Sequence, residues 1–128
     1  MLQVLRWLCV MLLVTVGMAD AQAFQWQSHG QTRDQAGLAV IAVAELPNEA
    51  RETLRAIKQG GPFAYDRDGV VFGNFERVLP KQARGYYHEY TVKTPGVHSR
   101  GARRIISGAS YEYYYTDDHY QTFKRIRE

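Results

Sequence analysis

The sequence predicts an α+β domain: one helix near its N-terminal side packed on a single antiparallel β-sheet. Three observations carry that expectation. The chain has 128 residues, enough for one domain. A single segment combines helical periodicity with start and stop signals. Everything after it alternates with period two between short turns. One helix followed by a run of turn-linked strands is the pattern of a sheet covered on one face by a helix.

The first 23 residues stand apart from that domain. MLQVLRWLCVMLLVTVGMADAQA has one early cation, Arg6, an apolar run from Trp7 to Val16, and two A-x-A frames that end at Ala21 and Ala23. That pattern is expected of a secretory signal peptide, residues 1–23. The run is shorter than the roughly 20 apolar residues a membrane-spanning helix needs. Residues 24–36 are polar without a clear period and are expected to form a loose arm. The domain is expected over residues 37–128. Cys9 is the chain's one cysteine and would leave with the signal. Removing Arg6 and Asp20 together leaves the formal charge of +3 unchanged. That mild basic excess suits a polyanionic partner without defining one.

GLAVIAVAEL, residues 37–46, is small and β-branched, and fits a short strand or the start of a helix. LPNEARETLRAIKQGG, residues 46–61, is the clearest element. Pro47 opens it, Glu49 and Glu52 lie in its first turns, Lys58 lies near its end, and Gly60-Gly61 stops it. Ala50, Leu54 and Ile57 form one apolar stripe for the core, and the arginines face water. GPFAYDRDGVVFGNFERVLP then places a short strand, Val70 to Phe72, between turns at Gly61-Pro62 and Asp68-Gly69. GYYHEYTVKTPG reads as a long strand ended by Pro95-Gly96, and ARRIISG as another. SYEYYYTDDHYQTFKRI reads as two strands broken at Thr116-Asp117-Asp118.

Strand parity sorts the polar residues. Tyr87, Glu89, Thr91 and Lys93 share one face; Tyr86, His88, Tyr90 and Val92 share the other. The Glu89 face is the better candidate for the side the helix leaves free. Arg103 and Arg104 must point to opposite faces. His29 lies in the arm and His98 in a Gly/Ser loop, both as ordinary surface residues. His88 faces away from Glu89 and reads as structural. His119 stands at the mouth of a strand, within reach of solvent.

Several chemistries lack their residues. There is no G-x-S-x-G, no P-loop and, once Cys9 is gone, no thiol. Asp117-Asp118 is the lone acidic pair and reads as a turn, so no metal site is expected. What remains is a carboxylate, a histidine and arginines. A carboxylate can take a proton from an attacking hydroxyl, and a histidine can give one to a leaving oxygen. Arginines can hold the charge that builds on phosphorus. That set suits metal-free phosphodiester cleavage of RNA, with the 2′-hydroxyl as nucleophile. Spacing alone is a weak signal for that chemistry and favours a generic basic domain.

From residue 46 to residue 126 the sequence resembles the bacterial guanyl-specific ribonucleases, the group that includes barnase. LPNEARETL, GGPFAYDRDGVVFGN, GYYHEYTVKTPG, RGARRII and YYYTDDHYQTF stand in that family's order and spacing. The resemblance implies the microbial ribonuclease fold and a secreted, guanine-preferring endoribonuclease acting on single-stranded RNA. It implies transesterification to a 2′,3′-cyclic phosphate, then hydrolysis to a 3′-phosphate, with no cofactor and no metal. Glu89 matches the family's general base and His119 its general acid. Arg100 and Arg104 match the phosphate-binding arginines, and Tyr120 a tyrosine that contacts phosphate or base. Glu76 matches the carboxylate that accepts guanine's N1 and N2 hydrogens. Backbone N–H groups around Asn74 and Phe75 would serve O6 and N7, and Phe72 would flank the pocket. A carboxylate there accepts from guanine and repels adenine, which presents an acceptor at N1.

Two departures stand out. Phe75 occupies a position where relatives often carry arginine, so it keeps a backbone N–H and brings no charge. Secreted relatives can carry a disulfide between the N-terminal strand and the C-terminus, which has no counterpart here. The other reading is a catalytically silent RNA- or nucleotide-binding module on the same fold. The presence of both Glu89 and His119 argues against it. The resemblance also implies a monomer with no membrane association after signal removal. It extends to a toxin role against competing cells and a barstar-like inhibitor that would offer acidic side chains to Arg100 and Arg104.

Overall fold

The computed structural model describes residues 32–128. The expected signal peptide and His29 lie outside them. Six strands form one sheet: β1 (Ala39–Ala42), β2 (Val70–Phe72), β3 (Tyr87–Thr91), β4 (Arg104–Gly108), β5 (Tyr113–Thr116) and β6 (Lys124–Arg127). One helix, α1 (Asn48–Gln59), lies between β1 and β2 in the chain. The sheet order is β1-β6-β5-β4-β3-β2. Strands β2 to β6 pair antiparallel, as their short turns require. Strand β1 joins β6 in parallel at the edge. Its partner arrives from the far end of the chain, so no hairpin fixes the sense of that pair.

Residues 37–46 divide between both readings: β1 runs into a 3-10 turn at Val43–Glu45. The helix begins after Pro47 and stops at Gly60, which adopts φ +78°. That left-handed conformation suits glycine and lets the N–H of Gly61 close on the carbonyl of Ala56 at 2.9 Å. Ala50 and Leu54 are buried against Val92, Ile105, Tyr113, Tyr115 and Ile126, with Ile57 packed alongside. Burying one such leucine is worth about 1.5–3 kcal/mol.

The face away from the helix is not bare. Leu79, Tyr87, Ile106, Tyr114 and Phe123 form a second apolar cluster there, with Phe72 and Tyr120 at its margin. Glu89 shares this face, as parity requires, and lies in register with Ile106. Arg104 pairs across to Thr91 on one side and Thr116 on the other. The cluster closes one part of the face, and the polar row remains beside it.

Residues 32–36, the described end of the expected arm, carry hydrogen bonds of their own. Arg33 bridges to Ala39, and Val40 N–H donates to Thr32 O at 2.9 Å. Asp34 Oδ1 accepts from the N–H of Ala36 at 3.0 Å and of Leu38 at 2.7 Å. One aspartate side chain organises this turn, so no hydrophobic period announces it. No helix among the described residues is long and apolar enough to cross a membrane.

Candidate active site

Glu89 is the centre of the polar row. It is 7 % exposed, a depth at which a carboxylate needs partners. The Tyr120 hydroxyl donates to Glu89 Oε2 at 2.9 Å. Arg104 Nε donates to the same hydroxyl at 3.0 Å, so one tyrosine oxygen links the carboxylate to a guanidinium. Burial pushes the Tyr120 phenol above its usual range, and the neighbouring Glu89 adds to the shift against the opposing effect of Arg104. The phenol therefore stays protonated and keeps donating.

The other carboxylate oxygen, Oε1, faces two cations. Arg100 Nη2 lies at 3.5 Å and Arg67 Nε at 3.8 Å. Arg100 is held by Thr91, whose Oγ1 accepts from Nε at 3.1 Å and from Nη2 at 2.8 Å. Arg104 is 2 % exposed, and its Nη1 donates to the carbonyls of Gly101 at 2.9 Å and Arg103 at 2.8 Å. These bonds fix both guanidinium planes before any ligand arrives. Arg103 points elsewhere. It lies near enough to Tyr115, on the helix face, to oppose the upward shift that burial gives that phenol.

His119 is exposed, and its ring lies 4.9 Å from that of Tyr120. Both residues take positive φ, +57° and +71°, which side chains disfavour. Asp118 and Thr116 hold the loop in that shape. Thr116 Oγ1 accepts from the N–H of Tyr120 at 3.2 Å, and its hydroxyl donates to Asp118 Oδ1 at 2.8 Å. Asp118 Oδ1 also accepts from the N–H of Thr122 at 2.9 Å. Burial favours protonated Asp118, but the bonds from Thr122 and Thr116 outweigh it and hold this carboxyl below 3.8. The Asp117-Asp118 pair thus includes a residue that builds the turn expected there.

Beside Glu89 opens a cavity of about 330 Å³. Phe72, Phe75, Glu76, Arg67, Glu89 and Tyr120 are among its walls. Phe72 stacks on Tyr120, with ring centroids 5.2 Å apart and planes inclined by 22°. The loop after β2 is built by Asn74, which takes φ +51°. Its Oδ1 accepts from the N–H of Leu79 at 3.1 Å, and its Nδ2 donates to Leu79 O at 2.9 Å. The Asn74 side chain therefore serves the loop, and the backbone is what it presents. Among the described residues, no backbone hydrogen bond uses the N–H of Asn74, Phe75 or Glu76. Phe75 is 85 % exposed, and its ring lies across Gly73, where a β-carbon would come within 2.6 Å of it.

The structure brings together Glu89, Arg100, Arg104 and Tyr120 by direct contact, with Phe72, Asn74, Phe75 and Glu76 around the adjoining cavity. His119 adjoins through Tyr120. Sequence reasoning missed three contributors. Thr91 had a signal, since parity puts it on the face of Glu89. Arg67 and Asp118 had none beyond their places in turns. Among the described residues, no group of three His, Cys, Asp or Glu side chains is placed to hold a metal ion.

A family model described as ribonuclease matches residues 29–127. The chain belongs to the ribonuclease family. Among relatives of this ribonuclease, guanyl-specific ribonuclease Sa of Kitasatospora aureofaciens is 59 % identical over 87 residues, 67 % of this chain and 91 % of that one. Guanyl-specific ribonuclease St of Saccharopolyspora erythraea is 52 % identical over 91 residues, 71 % of this chain and 90 % of that one. The fold agrees as well. A structure of ribonuclease Sa2 complexed with mononucleotides superposes with a TM-score of 0.70 at 49 % identity, covering 71 % of this chain and 95 % of that one. A second, with guanosine-2′-cyclophosphate, gives 0.68 at 50 % identity, covering 70 % and 96 %.

Proposed function

We propose that this ribonuclease is a guanine-preferring endoribonuclease that cleaves single-stranded RNA without a metal. The observation that carries the reading is one continuous cavity with two kinds of wall. One side offers Glu76, the Phe72 ring and backbone N–H groups to a base. The other offers Glu89 and Tyr120, with Arg100 and Arg104 behind them. The guanyl-specific names of the relatives and the guanosine ligand in the solved structure support the choice of base.

Glu76 accepts guanine's N1 and N2 hydrogens, the N–H groups around Asn74 and Phe75 donate to O6 and N7, and Phe72 stacks on the base. Adenine would place an acceptor against the carboxylate and leave it unpaired. Glu89 then takes the proton of the ribose 2′-hydroxyl. The 2′-oxygen attacks phosphorus, the bond from phosphorus to the 5′-oxygen of the next nucleotide breaks, and His119 protonates that oxygen. Arg100 and Arg104 hold the non-bridging oxygens as charge develops. Tyr120 keeps Glu89 aligned and meets the phosphate. The product is a 2′,3′-cyclic phosphate. In the second step His119 takes a proton from water, Glu89 returns one to the 2′-oxygen, and a 3′-phosphate results.

The N-terminal pattern of residues 1–23 supports export, with a monomer acting outside the cell or in the periplasm. The paired guanidinium groups of Arg100 and Arg104 would suit an acidic inhibitor of the barstar kind. The deciding experiment is cleavage of RNAs that differ at one base, with chelator present. Cutting after guanine, and a large loss of that preference in Glu76→Gln, is the expected result. Equal cutting after adenine removes Glu76 from its role, and loss of activity with chelator removes the metal-free mechanism.

A further inference from the structure

Behind the loop that follows β2 lies a second cavity of about 360 Å³. It shares Phe72, Gly73, Asn74 and Phe75 with the first, but neither Glu89 nor Tyr120 reaches it. Its outer wall carries Arg77, Lys81 and Arg84, all exposed. The segment RVLPKQAR, residues 77–84, holds these three cations and no acid. Its local charge thus equals the +3 of the whole chain. None of the three takes part in the ion pairs found among the described residues, which join Lys58 to Glu128 and Arg67 and Arg100 to Glu89.

The segment is fixed, so the charges are presented rather than dispersed. The N–H of Arg77 donates to Asn74 O at 3.0 Å, and the Tyr87 hydroxyl donates to Pro80 O at 2.6 Å. The exposed Phe75 ring divides the two cavities. A basic groove with an aromatic face at its edge is the chemistry that holds single-stranded nucleic acid, by phosphate attraction and base stacking.

Resting on the function proposed above, we infer that this groove is a second RNA subsite, holding the nucleotide on the 5′ side of the guanosine. The reaction sets the direction. The scissile phosphate lies on the 3′ side, at Arg100 and Arg104, and the strand beyond it leaves past His119. The strand before the guanosine departs on the other side, away from the catalytic groups. The groove shares the base-reading loop and none of the catalytic residues, so it lies on that side. Arg77, Lys81 and Arg84 hold the phosphate between the two nucleotides, and the outer face of Phe75 takes the preceding base. Positive charge that Phe75 does not supply within the loop is thus supplied just after it.

The test uses three short RNAs, GpU, ApGpU and GpUpA, and ApU as the control for base preference, with wild type and an Arg77→Ala, Lys81→Ala, Arg84→Ala triple variant. Wild type should cut ApGpU about tenfold more efficiently than GpU at low salt, measured as kcat/KM after guanine. The triple variant should lose that gain and keep its GpU and GpUpA rates within about twofold of wild type. Its salt dependence on ApGpU should fall by about 0.7 in log–log slope for each phosphate it no longer neutralises. Retained GpU cleavage shows in the same assay that the variant is folded. No gain from the 5′ nucleotide in wild type overturns the subsite, and leaves these cations to another partner such as an acidic protein. An equal loss on all three substrates, or a loss confined to GpUpA, also overturns it. Wild type that does not prefer GpU to ApU refutes the function and the subsite with it; preference for GpU with indifference to the 5′ nucleotide refutes the subsite alone.

Discussion

Replacing Tyr120 by phenylalanine removes one oxygen and keeps the ring. That oxygen donates to Glu89 Oε2 at 2.9 Å and accepts from Arg104 Nε at 3.0 Å. Hydrogen bonds to charged groups are worth about 1.5–3 kcal/mol each. Arg104 keeps its two bonds to backbone carbonyls and so stays in place. The phenylalanine ring can still stack on Phe72, so binding of the base should change little. The loss falls on the alignment of Glu89. If one of the two bonds persists in the transition state, its loss is about 10- to 100-fold in rate. Initial rates on GpU should show this loss in kcat, with KM within about twofold of wild type. Thermal unfolding of the same variant separates a catalytic loss from a folding defect. A kcat within about threefold of wild type would refute the role of this hydroxyl. So would a loss confined to KM.

Three further outcomes rest on the same network and on the core beneath it. Thr91→Val should free the Arg100 guanidinium, which Thr91 Oγ1 holds through two donors, and lower kcat/KM about tenfold in the same assay, with little change in stability. The Asp118 carboxyl lies below 3.8 when folded, so its stabilisation is complete above that value and is lost as pH falls through the folded pKa. Asp118→Asn should therefore be less stable than wild type at about pH 5, with the gap narrowing as the pH falls in thermal scans. Leu54→Ala should cost about 2–5 kcal/mol in denaturant unfolding, because Leu54 is 4 % exposed against the sheet. The described residues contain no cysteine to offset that loss.

The sequence revealed most where one residue type can do only one job. Strand parity is the clearest case: it separated Glu89 from His88 and Arg104 from Arg103. The helix was equally plain, because Pro47, the stripe of Ala50, Leu54 and Ile57, and Gly60 agree with one another. What stayed hidden depends on cross-strand register, which a local pattern does not encode. Thr91 meets Arg100 from nine residues away, and Tyr120 meets Glu89 from 31. The parallel pairing of β1 with β6 is hidden for the same reason. Asn74 shows another limit. No local pattern shows that its side chain is spent on the carbonyl and N–H of Leu79, which leaves the loop's backbone to face a base.

The central claim is that Glu89 and His119 act as a base–acid pair on the 2′-hydroxyl and the leaving 5′-oxygen. Phosphorus NMR of GpU turnover, with chelator present, tests it most directly. Wild type should give guanosine 2′,3′-cyclic phosphate first and the 3′-phosphate later. Glu89→Gln should slow the first step by about 10²–10⁴-fold. Direct formation of a 3′-phosphate without the cyclic species, a 5′-phosphate product, or a Glu89→Gln variant as fast as wild type would contradict the account.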